Sequence, residues 1–165
     1  MQKILLCVAQ TAMATAFLLT SGRVEAQTPR PDMDYDTAMQ IIDACVSFAE
    51  ENDIAISIAV FDASAALKAF VRMNGAHNAS VSISQWKGHT AASFKNASTA
   101  DIAEWAMNNP GLAFAPGVST LEGGVPVVLK SNGAQIGGVG VSGATSSQDA
   151  ACARSGVEAA GLEAP

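Results

Sequence analysis

The two histidines of the chain, His77 and His89, are its first candidates for metal ligation. They stand twelve positions apart without the spacing of a zinc motif, so a zinc site is not indicated. Arg72 precedes the loop that carries His77, while Lys87 and Thr90 flank His89. Because Lys87 and Thr90 are three residues apart, they share one face if this segment is helical. That pair is consistent both with the lining of a ligand cleft and with a structural hydrogen bond.

A glycine-rich loop supplies a second group of candidate ligand-binding residues. Its members are Glu122, Gly123, Gly124 and Pro126. Paired glycines allow backbone amides to come close to a ligand or to a neighbouring chain. The same glycines would also suit the start of a strand beneath a tight loop. Both alternatives stay open at the level of sequence.

The segment GGVGVSGATSSQDAACA, residues 137–153, resembles several known loops without matching any of them. A phosphate-binding loop needs a lysine after its glycines, and a nucleophile elbow needs Gly-x-Ser-x-Gly. A dinucleotide site needs a parallel strand pair with an acidic residue after the second strand. Ser146 and Asp149 have nearly the spacing of a capping box. The segment therefore predicts a strand, a corner and a helix, with Asp149 at the start of that helix.

The first 26 residues have the features of a secretory signal peptide. Lys3 precedes an apolar stretch over residues 4–19, and small residues lead up to a cleavage site after Ala26. We expect a flexible arm over residues 27–33 and a single domain over residues 34–165, located in the periplasm or secreted. The net charge is −6, without a basic cluster, so neither nucleic acid nor membrane insertion after cleavage is expected.

Two cysteines remain after such a cleavage, Cys45 and Cys152. In an oxidising compartment they can form a disulfide, and closing so long a loop gives up to about 4.7 kcal/mol in the chain-entropy relation. Two separate buried thiols are equally consistent with the sequence, because a free cysteine behaves as a small apolar residue.

Hydrophobic periodicity predicts an α+β domain with an antiparallel sheet. Two hairpins are indicated, one over residues 54–72 and one from residue 126 to residue 143 with an Asn-Gly turn. Four helices are predicted, and a loop rich in glycine and proline over residues 110–126 is expected to cover part of the domain. The helices begin near Asp34, Ser80, Ser98 or Thr99, and Ser146. Trp86, in the second helix, is expected mainly in the core.

Three stretches together resemble the GlcG/HbpS family, which includes heme-binding proteins and the C-terminal domain of PduO-type proteins. They are AVFDASAALKAFVRMNGA, KGHTA and GGVPVVLKSNGAQIGGVGVSGATSSQDAACA. The resemblance implies a profilin-like, three-layer fold with a five-stranded antiparallel sheet and helices on both faces. This chain departs from the family pattern at two positions, where Asn74 replaces an aspartate and Ala65 replaces a turn glycine.

The resemblance also implies heme, or a related tetrapyrrole, as the cofactor and assembly into homo-oligomers. A single histidine can ligate heme iron, so His77 or His89 would take that position, with cations meeting the propionates. Arg72 and Lys87 are the candidate cations, and Thr90 with the Glu122–Pro126 loop would line the ligand cleft. We thus expect an exported, oligomeric protein that binds or sequesters heme.

The alternative is an enzyme or accessory subunit that acts on a small organic acid through the Glu122–Pro126 loop. No catalytic motif is present, so an enzyme is the less favoured interpretation. Heme degradation is nevertheless compatible with the sequence, because bound iron can activate oxygen without a protein nucleophile.

Overall fold

The computed structural model describes residues 30–165, so the expected signal peptide and the start of the arm lie outside the described residues. The elements alternate between helices and β-hairpins, as the periodicity predicts. They are α1 (Tyr35–Glu51), β1 (Ser57–Asp62), β2 (Leu67–Arg72), α2 (Asn78–Ser93), α3 (Thr99–Asn108), a 3₁₀ turn (Pro110–Phe114), β3 (Gly124–Val128), β4 (Gln135–Ser142) and α4 (Ser146–Ala159). Within residues 30–165 no helix is both long and apolar enough to span a bilayer.

The sheet of the described residues has four antiparallel strands in the order β2-β1-β4-β3. Each predicted hairpin forms, and β1 pairs with β4 to join the two hairpins at the centre of the sheet. The expected fifth strand is absent from this sheet, so that part of the fold prediction is wrong.

The position of a fifth strand, beside β3, is taken by only one residue pair. Val128 and Glu163 exchange both backbone hydrogen bonds, at 2.9 and 3.0 Å. Pro126, two residues before Val128 in the same strand, has no N–H to donate to a further partner. Pairing along this edge therefore stops at a single bridge.

One face of the sheet carries the apolar core. Alternating residues of the central strands point to this face, among them Ile58, Val60, Val139 and Val141, and all four are buried. Helices α1 and α4 cover them. The domain's hydrophobic stabilisation is thus concentrated between the sheet and these two helices.

The opposite face is packed against α2 at very short range. A Cβ atom at Gly140 would lie 2.0 Å from the carbonyl oxygen of Ser84, and one at Gly88 would lie 2.8 Å from the ring of Phe61. Only hydrogen at these positions lets the helix backbone approach the strand this closely. Gly138 and Gly140 of the GGVGVSG segment therefore serve the packing of α2 on β4, whereas Gly137 and Gly143 lie against the backbone of Phe61 and of residues 55 and 56.

The corner after β4 differs in detail from the sequence prediction. Thr145, not Ser146, is the N-cap of α4, and its reciprocal capping partner is Gln148. Asp149 is consequently one residue too far along to cap the helix, and its side chain turns inward, where it is buried. Ala65, in the turn of the first hairpin, adopts a φ of +58°, the left-handed conformation that glycine takes more readily.

The end of the expected arm is attached to the domain. Met33 is buried in the core, and Asp32 accepts a hydrogen bond of 2.9 Å from the backbone of Ala63. The two cysteines form a disulfide that joins α1 to α4, with both residues fully buried. Of the two alternatives for Cys45 and Cys152, a disulfide or two separate thiols, the structure contains the disulfide.

Candidate functional site

The two histidines lie at different ends of α2. His77 caps the N-terminus of the helix, and His89 stands on its fourth turn. At 1.5 Å per residue, twelve residues separate them by about 18 Å along the helix axis. One metal ion cannot be held by both, so the candidate residues divide into two groups.

The group at the start of α2 is engaged in holding the helix terminus. Nδ1 of His77 accepts a hydrogen bond of 3.1 Å from the backbone N–H of Ser80, so the neutral ring carries its proton on Nε2. Ligation of iron through Nε2 would require that proton to move and the cap to break. Arg72 donates hydrogen bonds to the carbonyl oxygen of Ala76 and to the side chain of Asn78, which fixes the same loop.

Lys87 is buried and does not line a cleft. Its Nζ lies 2.7 Å from Oδ2 of Asp149 and donates a second hydrogen bond, of 2.9 Å, to the carbonyl oxygen of Val141. The side chains of both partners are 3% exposed. Because its charge is already paired inside the domain, these contacts do not support the expectation that Lys87 meets a ligand.

Asp149 has an unusual electrostatic position. Burial raises the pKa of its carboxyl group, and the hydrogen bond and charge of Lys87 oppose that rise. The backbone N–H of Ala144 donates to its other oxygen at 3.1 Å. The pair connects α2, β4 and the first turn of α4, so its role is to fasten three elements together.

Thr90 is likewise buried, and its hydroxyl group makes structural hydrogen bonds. Oγ1 donates to the carbonyl oxygen of Gly117 at 3.2 Å and accepts from the backbone N–H of Ser119 at 2.8 Å. Of the two interpretations of the Lys87–Thr90 pair, the structural hydrogen bond is the one observed.

The glycine-rich loop is filled by the protein's own groups. A Cβ atom at Gly123 would lie 2.8 Å from Nζ of Lys87, and one at Gly124 would lie 2.4 Å from the carbonyl oxygen of the same lysine. Both glycines and Pro126 are buried, and only Glu122 is exposed. The two glycines thus allow Lys87 to come close to the backbone of this loop, and a ligand role of the loop stays a prediction.

His89, unlike the buried residues Lys87 and Thr90, is exposed and lies in an open apolar pocket of about 240 Å³. The residues that line it are Phe61, Gln85, Trp86, His89 and Gly117. The imidazole meets the ring of Phe61 edge to face, with 5.9 Å between centroids. Within residues 30–165 no hydrogen bond involves the imidazole, so its nitrogens are available to a ligand.

Large apolar side chains at and near this pocket are exposed. Trp86 is 54% exposed, which corrects the expectation that it lies mainly in the core. Leu67 pairs with Phe61 across the β1–β2 hairpin, so the two side chains share one face of the sheet, and Leu67 is 48% exposed. The arrangement suits a flat apolar molecule whose central atom can be bound by an imidazole nitrogen.

The sequence offered both His77 and His89 as candidate ligands, but it did not indicate most of the residues around His89. Trp86 and His89 are three residues apart, so a helical projection places them on one face. Phe61 and Gly117 come from distant segments and reach His89 only through the packing of α2 on the sheet. Across residues 30–165 no three His, Cys, Asp or Glu side chains are grouped as a metal site would need.

Comparison with known proteins gives a consistent result. The family model described as "Haem degrading protein HbpS-like" matches residues 33–158. Protein GlcG of Escherichia coli strain K12 is 42% identical over 107 residues, which are 64% of this chain and 77% of GlcG.

Two solved structures share the fold. A double mutant of HbpS from Streptomyces reticuli is 31% identical, with a TM-score of 0.77 over 84% of this chain and 94% of that chain. A complex of PduOC with heme has a TM-score of 0.73 over 80% of this chain and 97% of that chain. At 24% identity, the second similarity supports the shared fold alone.

Proposed function

The chain belongs to the HbpS-like family, and from that premise we propose that it binds heme or a related tetrapyrrole, with His89 as the axial ligand. The observation that carries the proposal is the exposed imidazole of His89 between the apolar side chains of Phe61 and Trp86. Heme iron is commonly held by one neutral imidazole in apolar surroundings. His77 fits this role less well, because its Nδ1 already accepts the cap hydrogen bond.

The residues of this surface have different roles in the proposed binding. His89 would ligate the iron, and its edge-to-face contact with Phe61 orients the imidazole ring. Trp86 and Leu67 would supply apolar contacts to the macrocycle. Bound heme supplies a redox-active iron, and the chain supplies its ligand and its apolar surroundings.

The size of the pocket limits how much of the ligand it encloses. Pockets that bury most of a drug-sized ligand measure about 300–1,000 Å³, and the His89 pocket measures about 240 Å³. A macrocycle held by His89 would therefore be enclosed only in part by this pocket. Arg72 is bound at the far end of α2 and Lys87 is buried, so neither is assigned to the propionates.

The test is a titration of the protein with hemin, followed by the Soret band, with serum albumin as a nonspecific control. The proposal predicts saturation with a shifted band, and a loss of affinity for the variants His89→Ala and Trp86→Ala. His77→Ala is the matched control, because it removes the other histidine from the same helix. An unsaturable titration, or the same affinity in all variants, would reject the proposal.

Export to an oxidising compartment is a further part of the proposal. It is supported by the Cys45–Cys152 disulfide, a feature of exported proteins that is rare in the cytosol. Expression of the full chain followed by cell fractionation and mass spectrometry tests it. The expected product begins at Gln27 and lacks free thiols, and a cytosolic product that begins at Met1 would contradict it.

Assembly into homo-oligomers is proposed from exposed apolar side chains on α3 and the 3₁₀ turn. Met107 is 75% exposed and Phe114 is 86% exposed, which is unusual for side chains of this size. Light scattering is expected to give a mass of at least two chains. A monomer at micromolar concentration would oppose this part of the proposal.

A further inference from the structure

The pocket of His89 has one wall that belongs to an irregular segment. Residues 110–122, here called the cover segment, connect α3 to β3 and include the 3₁₀ turn Pro110–Phe114. The segment's own hydrogen bonds are local, such as those from Val118 to Ala115 and from Leu121 to Ser119. Such a segment has little internal structure to hold it in one position.

Thr90 is the point at which the cover segment is fastened to the rest of the domain. Within residues 30–165, both hydrogen bonds that reach this segment from beyond its immediate neighbours involve Oγ1 of Thr90. One goes to the carbonyl oxygen of Gly117, and the other comes from the N–H of Ser119. Thr90 is fully buried, so water does not compete for these bonds.

The fastened part of the segment lines the same pocket as His89. A Cβ atom built at Gly117 would stand 3.7 Å from Cε1 and 3.8 Å from Nδ1 of the imidazole. Gly117 has a φ of +77°, a conformation that side chains other than glycine rarely adopt. Gly117 and the ring of Phe61 thus both border the pocket that holds the imidazole.

We infer that Thr90 is a positioning residue of the tetrapyrrole site: its hydroxyl group holds Gly117 beside His89 and so sets the orientation of the ligating imidazole. The inference deepens the proposed function and rests on it. Thr90 itself does not touch the ligand. Loss of its hydroxyl group frees the cover segment, and the imidazole then loses one of the surfaces that orient it.

The chain contains a closely matched control in Thr99. Oγ1 of Thr99 accepts from the N–H of Gly124 at 2.9 Å and donates to its carbonyl oxygen at 3.4 Å, and the residue is fully buried. Thr90→Val and Thr99→Val therefore remove the same groups and the same kinds of hydrogen bond. Only the first change touches the segment that faces His89.

The experiment measures hemin release to excess apomyoglobin for the wild type, Thr90→Val, Thr90→Ser and Thr99→Val. We expect Thr90→Val to release hemin about tenfold faster, which corresponds to 1.4 kcal/mol. Thr90→Ser keeps the hydroxyl group and is expected to stay near the wild type. Thr99→Val is expected to lower the thermal midpoint without changing the release rate.

Hydrogen exchange without hemin provides an independent measurement. Thr90→Val is expected to raise exchange in residues 110–122 while α2 stays protected. If Thr90→Val and Thr99→Val release hemin at the same rate, or residues 110–122 exchange as in the wild type, the positioning role is wrong. If the wild type itself fails to bind hemin saturably, the proposed function fails and the inference falls with it.

Discussion

The buried pair of Lys87 and Asp149 provides the sharpest prediction of stability. Replacing Lys87 with methionine keeps most of the side-chain volume but leaves the carboxylate of Asp149 buried without its cation. Breaking such a pair costs about 3–5 kcal/mol. For a domain of this size, that loss lowers Tm by roughly 10–20 °C.

The loss depends on pH in a direction that the structure fixes. Burial already raises the pKa of Asp149 above its usual value, and without Lys87 it rises further. The folded state then holds a proton that the unfolded state releases above about pH 4, so the stability of Lys87→Met falls as the pH increases from there. The deficit relative to the wild type is smallest near pH 4 and largest at neutral pH.

The assay is denaturant unfolding at several pH values with two companion variants. The double change Lys87→Met, Asp149→Asn removes the buried charge and keeps an acceptor for Ala144, so it is expected to recover part of the loss. Lys95→Met removes an exposed lysine just beyond the same helix and is expected to have little effect. If Lys87→Met unfolds like the wild type but no longer binds hemin, Lys87 serves the ligand and the structural assignment is wrong.

Three further predictions concern the stability of the fold. Replacing both Cys45 and Cys152 with alanine is expected to cost up to about 4.7 kcal/mol in urea unfolding, and an unchanged midpoint would mean that the bond does not form in solution. Gly140→Ala is expected to abolish soluble expression because its Cβ would overlap the backbone of α2, whereas Gly111→Ala, with open space around it, is expected to be neutral. Ala65→Gly relieves a left-handed alanine and is expected to raise stability by up to about 1 kcal/mol; a lower Tm would contradict this.

The sequence predicted the elements better than it predicted their contacts. The alternation in β2 and β4 and the cap at Asp34 are local signals, and the structure contains the corresponding hairpins and helix. The fifth strand was expected from the family resemblance alone. It fails here because its place beside β3 is reduced to one bridge at Glu163.

At the candidate site, too, the sequence predicted residue types correctly but not the contacts between them. Lys87, Thr90 and Gly123 have residue types typical of ligand binding, and all three are occupied by partners from distant segments of the chain. A sequence pattern states what a side chain can bond to, but the packing of α2 on the sheet decides which partner it meets. His89 differs because it is exposed at the margin of the contact between α2 and the sheet, where it meets the ring of Phe61.

Imidazole complementation tests the central claim most directly, because it reports the identity of the iron ligand. His89→Gly and His77→Gly would each be loaded with ferric hemin and examined by absorption and electron paramagnetic resonance before and after imidazole is added. The account predicts that only His89→Gly loses the histidine-ligated spectrum and that free imidazole restores it. Loss of that spectrum in His77→Gly, with His89→Gly unchanged, would contradict the account and place the ligand at the other end of the helix.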